Sequence, residues 1–280
     1  MKTLGYYNGI IDELETMQVP MLDRACYFGD GVYDVCFSRN YRIYALEEHV
    51  DRFLNSARLL RITPCIGREE LIDLLHSLLQ KMDDGNLWVY FQMTRGTALR
   101  GHAFPKDVPA NLWVMLKPAE IADTYKPMRC ISLEDTRFLH CNIKTINLIP
   151  AVMATQAAVD AGADEAILHR GEIVTECAHS NVSILKNGTI YTHPTNNLIL
   201  PGIARAHLLR EAKRLGLGVV EEPYTMTDLW NADEIIITAT SALCMRVIEL
   251  DGKPVGGRDG DTVKRLQDAL LKDYLDQTEG

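Results

Sequence analysis

The sequence predicts an α+β protein of two domains, and three observations carry that expectation. Strand-like and helical segments interleave, yet several strand pairs are joined by short Asn-Gly and Arg-Gly turns. Hairpins of that kind belong to mixed or antiparallel sheets rather than to a doubly wound parallel one. A polar stretch bracketed by Pro118 and Pro127 separates two sets of elements. No G-x-G-x-x-G follows the first strand, so a dinucleotide-binding fold lacks support.

The elements follow in order. Leu4 to Tyr7 reads as a strand that Asn8-Gly9 turns into Ile10-Ile11. Gly29-Asp30-Gly31 leads into a strand over Val32 to Phe37, which Arg39-Asn40 turns into Tyr41 to Tyr44. Leu46, Val50, Phe53, Leu54, Ala57 and Leu60 recur at helical spacing and predict a helix over 46–60. A second helix is expected over 69–81, closed by Gly85-Asn86. Near-continuous apolar runs at 87–95 and 112–116 predict buried strands.

Residues 1–118 are therefore expected to form an N-terminal α/β domain, 119–126 a linker, and 127–280 a C-terminal domain. The second domain should open with a strand at 128–133 and a helix at 148–161 ended by Gly162. Hairpins follow around Arg170-Gly171 (165–175) and Asn187-Gly188 (181–193). A helix at 202–215, strands at 234–238 and 245–250, and a closing helix at 261–274 complete it.

Composition narrows the function. With 280 residues, 47% of them hydrophobic, the chain has ample material for a core. Its formal charge of -9 is spread along the chain without a basic stripe, which argues against nucleic acid as a partner. The N-terminus lacks an apolar signal-peptide core, and no run is long enough to span a bilayer. The seven cysteines are scattered and form no C-x-x-C pair, so neither a disulfide framework nor a zinc site is expected. Free thiols in a reducing cytoplasm are the simple reading.

The chemistry centres on Lys144, in Asn142-Ile143-Lys144-Thr145-Ile146-Asn147. A lysine is ordinarily a surface residue. This one has apolar neighbours, and no other charge falls between Arg137 and Asp160. Burial would depress its pKa and free the amine to form a Schiff base with an aldehyde. Glu176 ends a strand-like Ile173-Val174-Thr175. It is either a solvated carboxylate or the group that keeps a pyridine nitrogen protonated. Arg52, between Val50 and Phe53, is either an exposed arginine pairing with Glu48 or a phosphate clamp. Gly202, after Leu200-Pro201, opens a helix whose free N–H groups suit an anion. Thr240 and Ser241 offer hydroxyls close in sequence to a predicted strand end. Arg100-Gly101-His102 is either a polar turn or a carboxylate trap.

Together these residues resemble the fold-type IV pyridoxal-phosphate enzymes, and within them the D-amino-acid aminotransferases. The resemblance runs from Tyr27-Phe28-Gly29-Asp30-Gly31-Val32-Tyr33 through Glu48-His49-Val50-Asp51-Arg52 and Thr94-Arg95-Gly96-Thr97. It continues in Ile143 to Asn147, Glu165 to Arg170, Val174-Thr175-Glu176 and Tyr191-Thr192-His193-Pro194. It implies a smaller N-terminal domain and a larger cofactor domain with a barrel-like mixed sheet. It also implies that Lys144 holds pyridoxal 5'-phosphate and shuttles the substrate Cα proton. Glu176 would pair with the pyridine nitrogen. Arg52, the Gly202 helix start with the backbone of Ile203 and Ala204, and Thr240 would bind the phosphate, and Ser241 could compensate for missing hydroxyls. Arg100 and His102, supplied by the partner subunit in that family, would join Tyr33 in holding the substrate carboxylate, which implies a homodimer with shared sites.

That resemblance implies transamination between D-amino acids, D-alanine and D-glutamate foremost, and the 2-oxo acids pyruvate and 2-oxoglutarate. Same-scaffold alternatives are a branched-chain L-aminotransferase, an amine transaminase and an aminodeoxychorismate-type lyase; a non-catalytic phosphate-ligand binder is the remaining one. The chain departs from the family at three points. Ala204 and Ala239 stand where hydroxyl residues are common, which predicts weak cofactor retention. Cys177-Ala178-His179 replaces a serine-rich stretch, and His179 is expected either to touch the cofactor or substrate pocket or to face solvent.

Overall fold

Hairpin chemistry shapes the first sheet. In the computed structural model, which describes residues 1–279, β1 (Leu4–Tyr7) and β2 (Ile10–Asp12) are joined by Asn8 and Gly9. Both turn residues have positive φ (46° and 94°), as an Asn-Gly hairpin requires. A short helix α1 (Ala25–Phe28), not anticipated from periodicity, ends at left-handed Gly29. It is followed by β3 (Gly31–Arg39) and β4 (Arg42–Ile43). The turn expected at Arg39-Asn40 lies one residue later, at Asn40 and Tyr41 (φ 53° and 61°). The Tyr41 N–H donates to the Gly85 carbonyl (3.0 Å), which holds the tyrosine in that conformation.

Helices α2 (Leu46–Leu59) and α3 (Arg68–Leu79) precede β5 (Leu87–Thr94) and β6 (Asn111–Pro118). The sheet order is β2-β1-β6-β5-β3-β4, antiparallel throughout. Strand alternation sends Val32, Cys36, Val89, Phe91, Met93, Val114 and Leu116 to one face, where they share a core with Val50, Phe53 and Ala57 of α2 and Leu71, Leu75 and Leu78 of α3. Asp34 falls on that same apolar phase of β3 and is fully buried.

The second half begins with β7 (Met128–Glu134), α4 (Ile149–Asp160), β8 (Glu165–Arg170) and β9 (Ile173–Cys177). It continues with β10 (Asn181–Lys186), β11 (Thr189–Thr192), α5 (Ile203–Arg214) and β12 (Gly218–Glu221). Then come α6 (Met226–Trp230), β13 (Glu234–Ala239), β14 (Leu243–Leu250), β15 (Lys253–Pro254) and α7 (Gly260–Gln277). The short elements β12, α6 and β15 add to the predicted set. The nine-stranded sheet runs β12-β11-β10-β13-β14-β7-β8-β9, with β15 beside β14. It is mixed: β11/β12, β14/β7 and β7/β8 are parallel, the others antiparallel. The Cys177 N–H donates to the Ser180 carbonyl (2.8 Å) where β9 turns into β10. That turn returns the far edge of the sheet toward β10, so the sheet curls as a half-barrel, in keeping with the barrel-like expectation.

The chain divides into two compact units. Met1–Glu120 form the body of one, and Ile121 onward most of the other, so the crossing falls within the 119–126 stretch. The expected division put Lys144 in the second domain. The structure instead assigns Ile143–Asn147, with the C-terminal residues from Leu275, to the first unit. The reason is backbone pairing: Thr145 bridges Val32, the Tyr33 N–H donates to the Lys144 carbonyl (2.9 Å), and the Ile146 N–H to Gly31 (3.2 Å). Among the described residues, no helix is long and apolar enough to cross a membrane, and no cluster of metal-ligating side chains is found.

Candidate active site

In the first unit, the segment around Lys144 is moored to α2 by the Lys144 N–H, which donates to Ser56 Oγ (3.1 Å). Ser56 lies one turn beyond Arg52 on the same helix face. The Lys144 side chain is half-buried, and its Nζ sits 4.4 Å from the ring centroid of Tyr33. An aromatic face attracts an ammonium without the pairing a carboxylate would impose. No carboxylate pairs with Lys144 among the described residues.

Arg52 is held by a residue that sequence reasoning missed. Its Nε and Nη2 donate to the two carboxylate oxygens of Asp34 at 2.9 and 2.7 Å, a bidentate fork. His49 Nδ1 meets the same carboxylate at 2.8 Å. Burial opposes ionisation of Asp34, but Arg52 and His49 outweigh it and hold the carboxyl well below its usual range. Burial pushes the His49 pKa down, against the pull of Asp34. The surrounding anion assigns the Nδ1 proton to the Asp34 contact, and His49 Nε2 is left buried with no partner. A charged residue on the core phase of β3 was the available signal for Asp34.

Arg100 and His102 lie in the exposed loop after β5, gathered around Phe28 of α1. The Arg100 guanidinium is 5.0 Å and the His102 ring 5.2 Å from the Phe28 ring. Within the single chain, no contact joins either residue to Tyr33 or Lys144 among the described residues.

In the second unit, β9 carries Glu176 into a buried position, 4% exposed. Arg137 Nη1 pairs with its Oε1. Its Oε2 accepts from Asn181 Nδ2 (2.8 Å) and from the Leu200 N–H (3.0 Å). Arg137 is shared: it also grips Asp135 through Nε and Nη2, both at 2.9 Å. Burial pushes the Glu176 carboxyl up to about 7, with Arg137 pulling the other way and Asp135 adding to the rise. Asn181 extends this network to the helix start, since its Nδ2 also donates to the Leu200 carbonyl (3.0 Å). A Cβ on Gly202 would lie 1.9 Å from Asn181 Oδ1, so only glycine fits between this asparagine and α5. Gly202 caps α5 without a side-chain bond, leaving the first N–H groups of the helix, Ile203 and Ala204 included, to seek outside acceptors. The register Asn181↔Thr238 puts the Thr240-Ser241 turn at the same sheet end. His179 is largely exposed, its Nδ1 2.6 Å from buried Glu165 Oε2. Asn181, Arg137 and Asp135 gave no sequence signal, because their partners are distant in the chain.

Residues 31–250 match the family model described as amino-transferase class IV. The chain belongs to this family. A D-alanine aminotransferase of Staphylococcus haemolyticus is 37% identical over 274 residues, covering 96% of this chain and 97% of that protein. One from Listeria monocytogenes is 36% identical over 272 residues, with 95% and 94% coverage. A branched-chain amino acid aminotransferase from T.th., complexed with N-(5'-phosphopyridoxyl)-L-glutamate, superposes with a TM-score of 0.88 at 27% identity, covering 98% of this chain and 94% of its own. An Escherichia coli branched-chain enzyme reaches 0.90 at 22% identity, with 100% and 96% coverage, a likeness of fold. As a class IV aminotransferase, the chain is a pyridoxal-phosphate-dependent transaminase.

The residues present fit that cofactor. Glu176 is a buried carboxylate of the kind that pairs with a protonated pyridine nitrogen. Gly202 opens an uncapped helix suited to a phosphate. Lys144 offers an amine on an aromatic face.

Proposed function

We propose that this enzyme transfers amino groups between D-amino acids and 2-oxo acids, with D-alanine, D-glutamate, pyruvate and 2-oxoglutarate as its expected substrates. The D-alanine aminotransferases to which it is similar over nearly its whole length support that reading. The observation that carries it is the presence in one chain of a carboxylate-free lysine on Tyr33 and a buried Glu176. When bound, pyridoxal phosphate supplies an aldehyde that takes up amines and a protonated ring that withdraws electrons.

Each residue then has a task. Lys144 holds the cofactor and carries the substrate Cα proton away and back. Arg52, aimed by Asp34 and His49, binds phosphate together with the N–H groups of Ile203 and Ala204 and the hydroxyl of Thr240, with Ser241 in reserve. Glu176, steadied by Arg137, Asn181 and Leu200, keeps the ring nitrogen protonated. Tyr33, Arg100 and His102 bind the α-carboxylate and so select the D-enantiomer.

The enzyme acts as a cytoplasmic homodimer with shared sites. Two observations favour the dimer. Arg100 and His102 are exposed on the single chain. Helix α4 turns Ile149, Val152, Met153 and Val159 outward, 57% to 73% exposed, an apolar face that calls for a cover.

Lys144→Ala tests the core of this reading. It should abolish both the absorption band of bound cofactor and transamination; an active variant would overturn the assignment. Rates with D- and L-alanine, glutamate and leucine separate it from a same-fold branched-chain L-aminotransferase, which would prefer the L-forms.

A further inference from the structure

The Arg100-Gly101-His102 loop is fixed by groups that no proposed catalytic role uses. Arg24, immediately before α1, is 3% exposed. Its Nη1 donates to the carbonyl of Gly101 at 2.7 Å. Gly101 stands between Arg100 and His102, so this bond fixes the peptide from which both side chains project. A Cβ on Gly101 would meet nothing within 4 Å, so no side-chain packing at this position restrains the peptide.

The same arginine is anchored from behind. Arg24 Nε donates to Asp30 Oδ2 at 2.7 Å. Asp30 also takes Arg95 Nε at 2.9 Å, and Arg95 reaches the carbonyls of Arg61 (2.9 Å) and Leu60 (2.8 Å) at the end of α2. The Arg95 guanidinium lies 3.6 Å from the Phe104 ring centroid and so pins the far side of the loop. Phe28 completes the mount. Arg24 lies 4.8 Å and Arg100 5.0 Å from its ring centroid, with the His102 ring 5.2 Å away. The Arg24 N–H further donates to Gly96 (3.0 Å), and the Ala98 N–H to Leu22 (3.1 Å), so the stretch before α1 grips the loop at its start.

We propose that Arg24 and Phe28 are positioning residues for carboxylate recognition: Arg24 holds the Gly101 peptide and Phe28 sets the Arg100 and His102 side chains, so that both meet one α-carboxylate. The inference rests on the reading of Arg100 and His102 as the carboxylate trap. Preorganisation of this kind lowers the ordering cost of binding and appears as affinity. Substrates with an α-carboxylate should depend on it; amines without one should not.

The test uses cofactor-loaded Arg24→Lys, Phe28→Leu and Arg100→Ala. Lysine keeps the charge beside Asp30 but offers one nitrogen where the guanidinium reaches two acceptors with two. D-lactate, a carboxylate with a hydroxyl in place of the substrate amine, is titrated by calorimetry. Amination of the cofactor by ethylamine, which has no carboxylate, is followed by absorbance. Arg24→Lys and Phe28→Leu should each weaken D-lactate binding and raise the KM for D-alanine about fivefold to tenfold. The ethylamine rate and the kcat should stay within about twofold. If both variants bind D-lactate as the parent does while Arg100→Ala binds it more weakly, the positioning role is wrong. An equal loss with ethylamine also overturns it, as a general structural defect. If Arg100→Ala leaves D-lactate binding unchanged, there is no trap at this loop and the inference falls with it.

Discussion

Replacing Asp34 by Asn should destabilise the protein by about 3–5 kcal/mol, the range for removing one charge of a buried pair. The geometry sets that size. Asp34 is wholly buried and Arg52 is 8% exposed, so little solvent compensates either charge. The substitution keeps one acceptor but turns the other oxygen into an amide donor, which must face an N–H of Arg52. One of the bonds at 2.7 and 2.9 Å becomes a donor–donor contact, and the pull on His49 at 2.8 Å weakens. Urea denaturation of cofactor-free protein at pH 7 measures the loss. The pH dependence checks its cause. The folded pKa of Asp34 lies below the unfolded value of about 3.9. Its stabilisation is therefore complete above about pH 5 and is lost as pH falls through the folded pKa. The gap between parent and variant should be constant above that point and close in acid. A second prediction follows from the same contact: the phosphate affinity of Arg52, no longer aimed, should fall about tenfold, the effect of ~1.4 kcal/mol. A gap below about 1 kcal/mol at pH 7, or one unchanged down to pH 3, would refute the reasoning.

Two further predictions concern the cofactor. Glu176 holds its proton more tightly folded than unfolded, so its contribution to stability declines as pH rises from about 4.5 toward about 7. That decline amounts to about 3 kcal/mol in the cofactor-free protein, and Glu176→Gln should flatten this part of the curve; an unchanged slope counts against it. Ala204→Thr with Ala239→Ser restores two hydroxyls that could serve the phosphate, at ~1.5–3 kcal/mol for each bond made. The double variant should retain cofactor through dialysis at least tenfold better than the parent, and a parent that keeps its cofactor through prolonged dialysis would remove the premise.

Regular elements were legible because their signals are local. The spacing of Val50, Phe53 and Ala57 located α2, and Asn8-Gly9 and Asn187-Gly188 located hairpins. The short helices α1 and α6, of four and five residues, are too brief to repeat an amphipathic period. The residues proposed to act, Lys144, Glu176 and Arg52, stand out in the sequence, and what holds them does not. Asp34 is 18 residues from Arg52 and Arg137 is 39 from Glu176. Such pairs are fixed by sheet register and burial, which a local pattern does not encode. The segment around Lys144 follows the same rule: a linker marks where the chain crosses, but the pairing of Thr145 with Val32 brings a later segment back to the first unit.

The two arginine–carboxylate networks show why similar ingredients give opposite results. Asp34 receives the fork of Arg52 and the ring of His49, two donors directed at one anion, and it stays ionised despite full burial. Glu176 is also buried, but its arginine is divided. Arg137 gives Nε and Nη2 to Asp135, leaving Glu176 one guanidinium nitrogen and a second anion in the neighbourhood that raises its pKa further. A carboxylate that must aim an arginine at phosphate needs a permanent charge. A carboxylate paired with a pyridinium, the role proposed for Glu176, acts as an anion, and the cation across the bond offsets the burial that raises its pKa. Burial sets the rise at Glu176, and Asp135, by dividing Arg137 and adding its own charge, leaves that rise less offset than at Asp34.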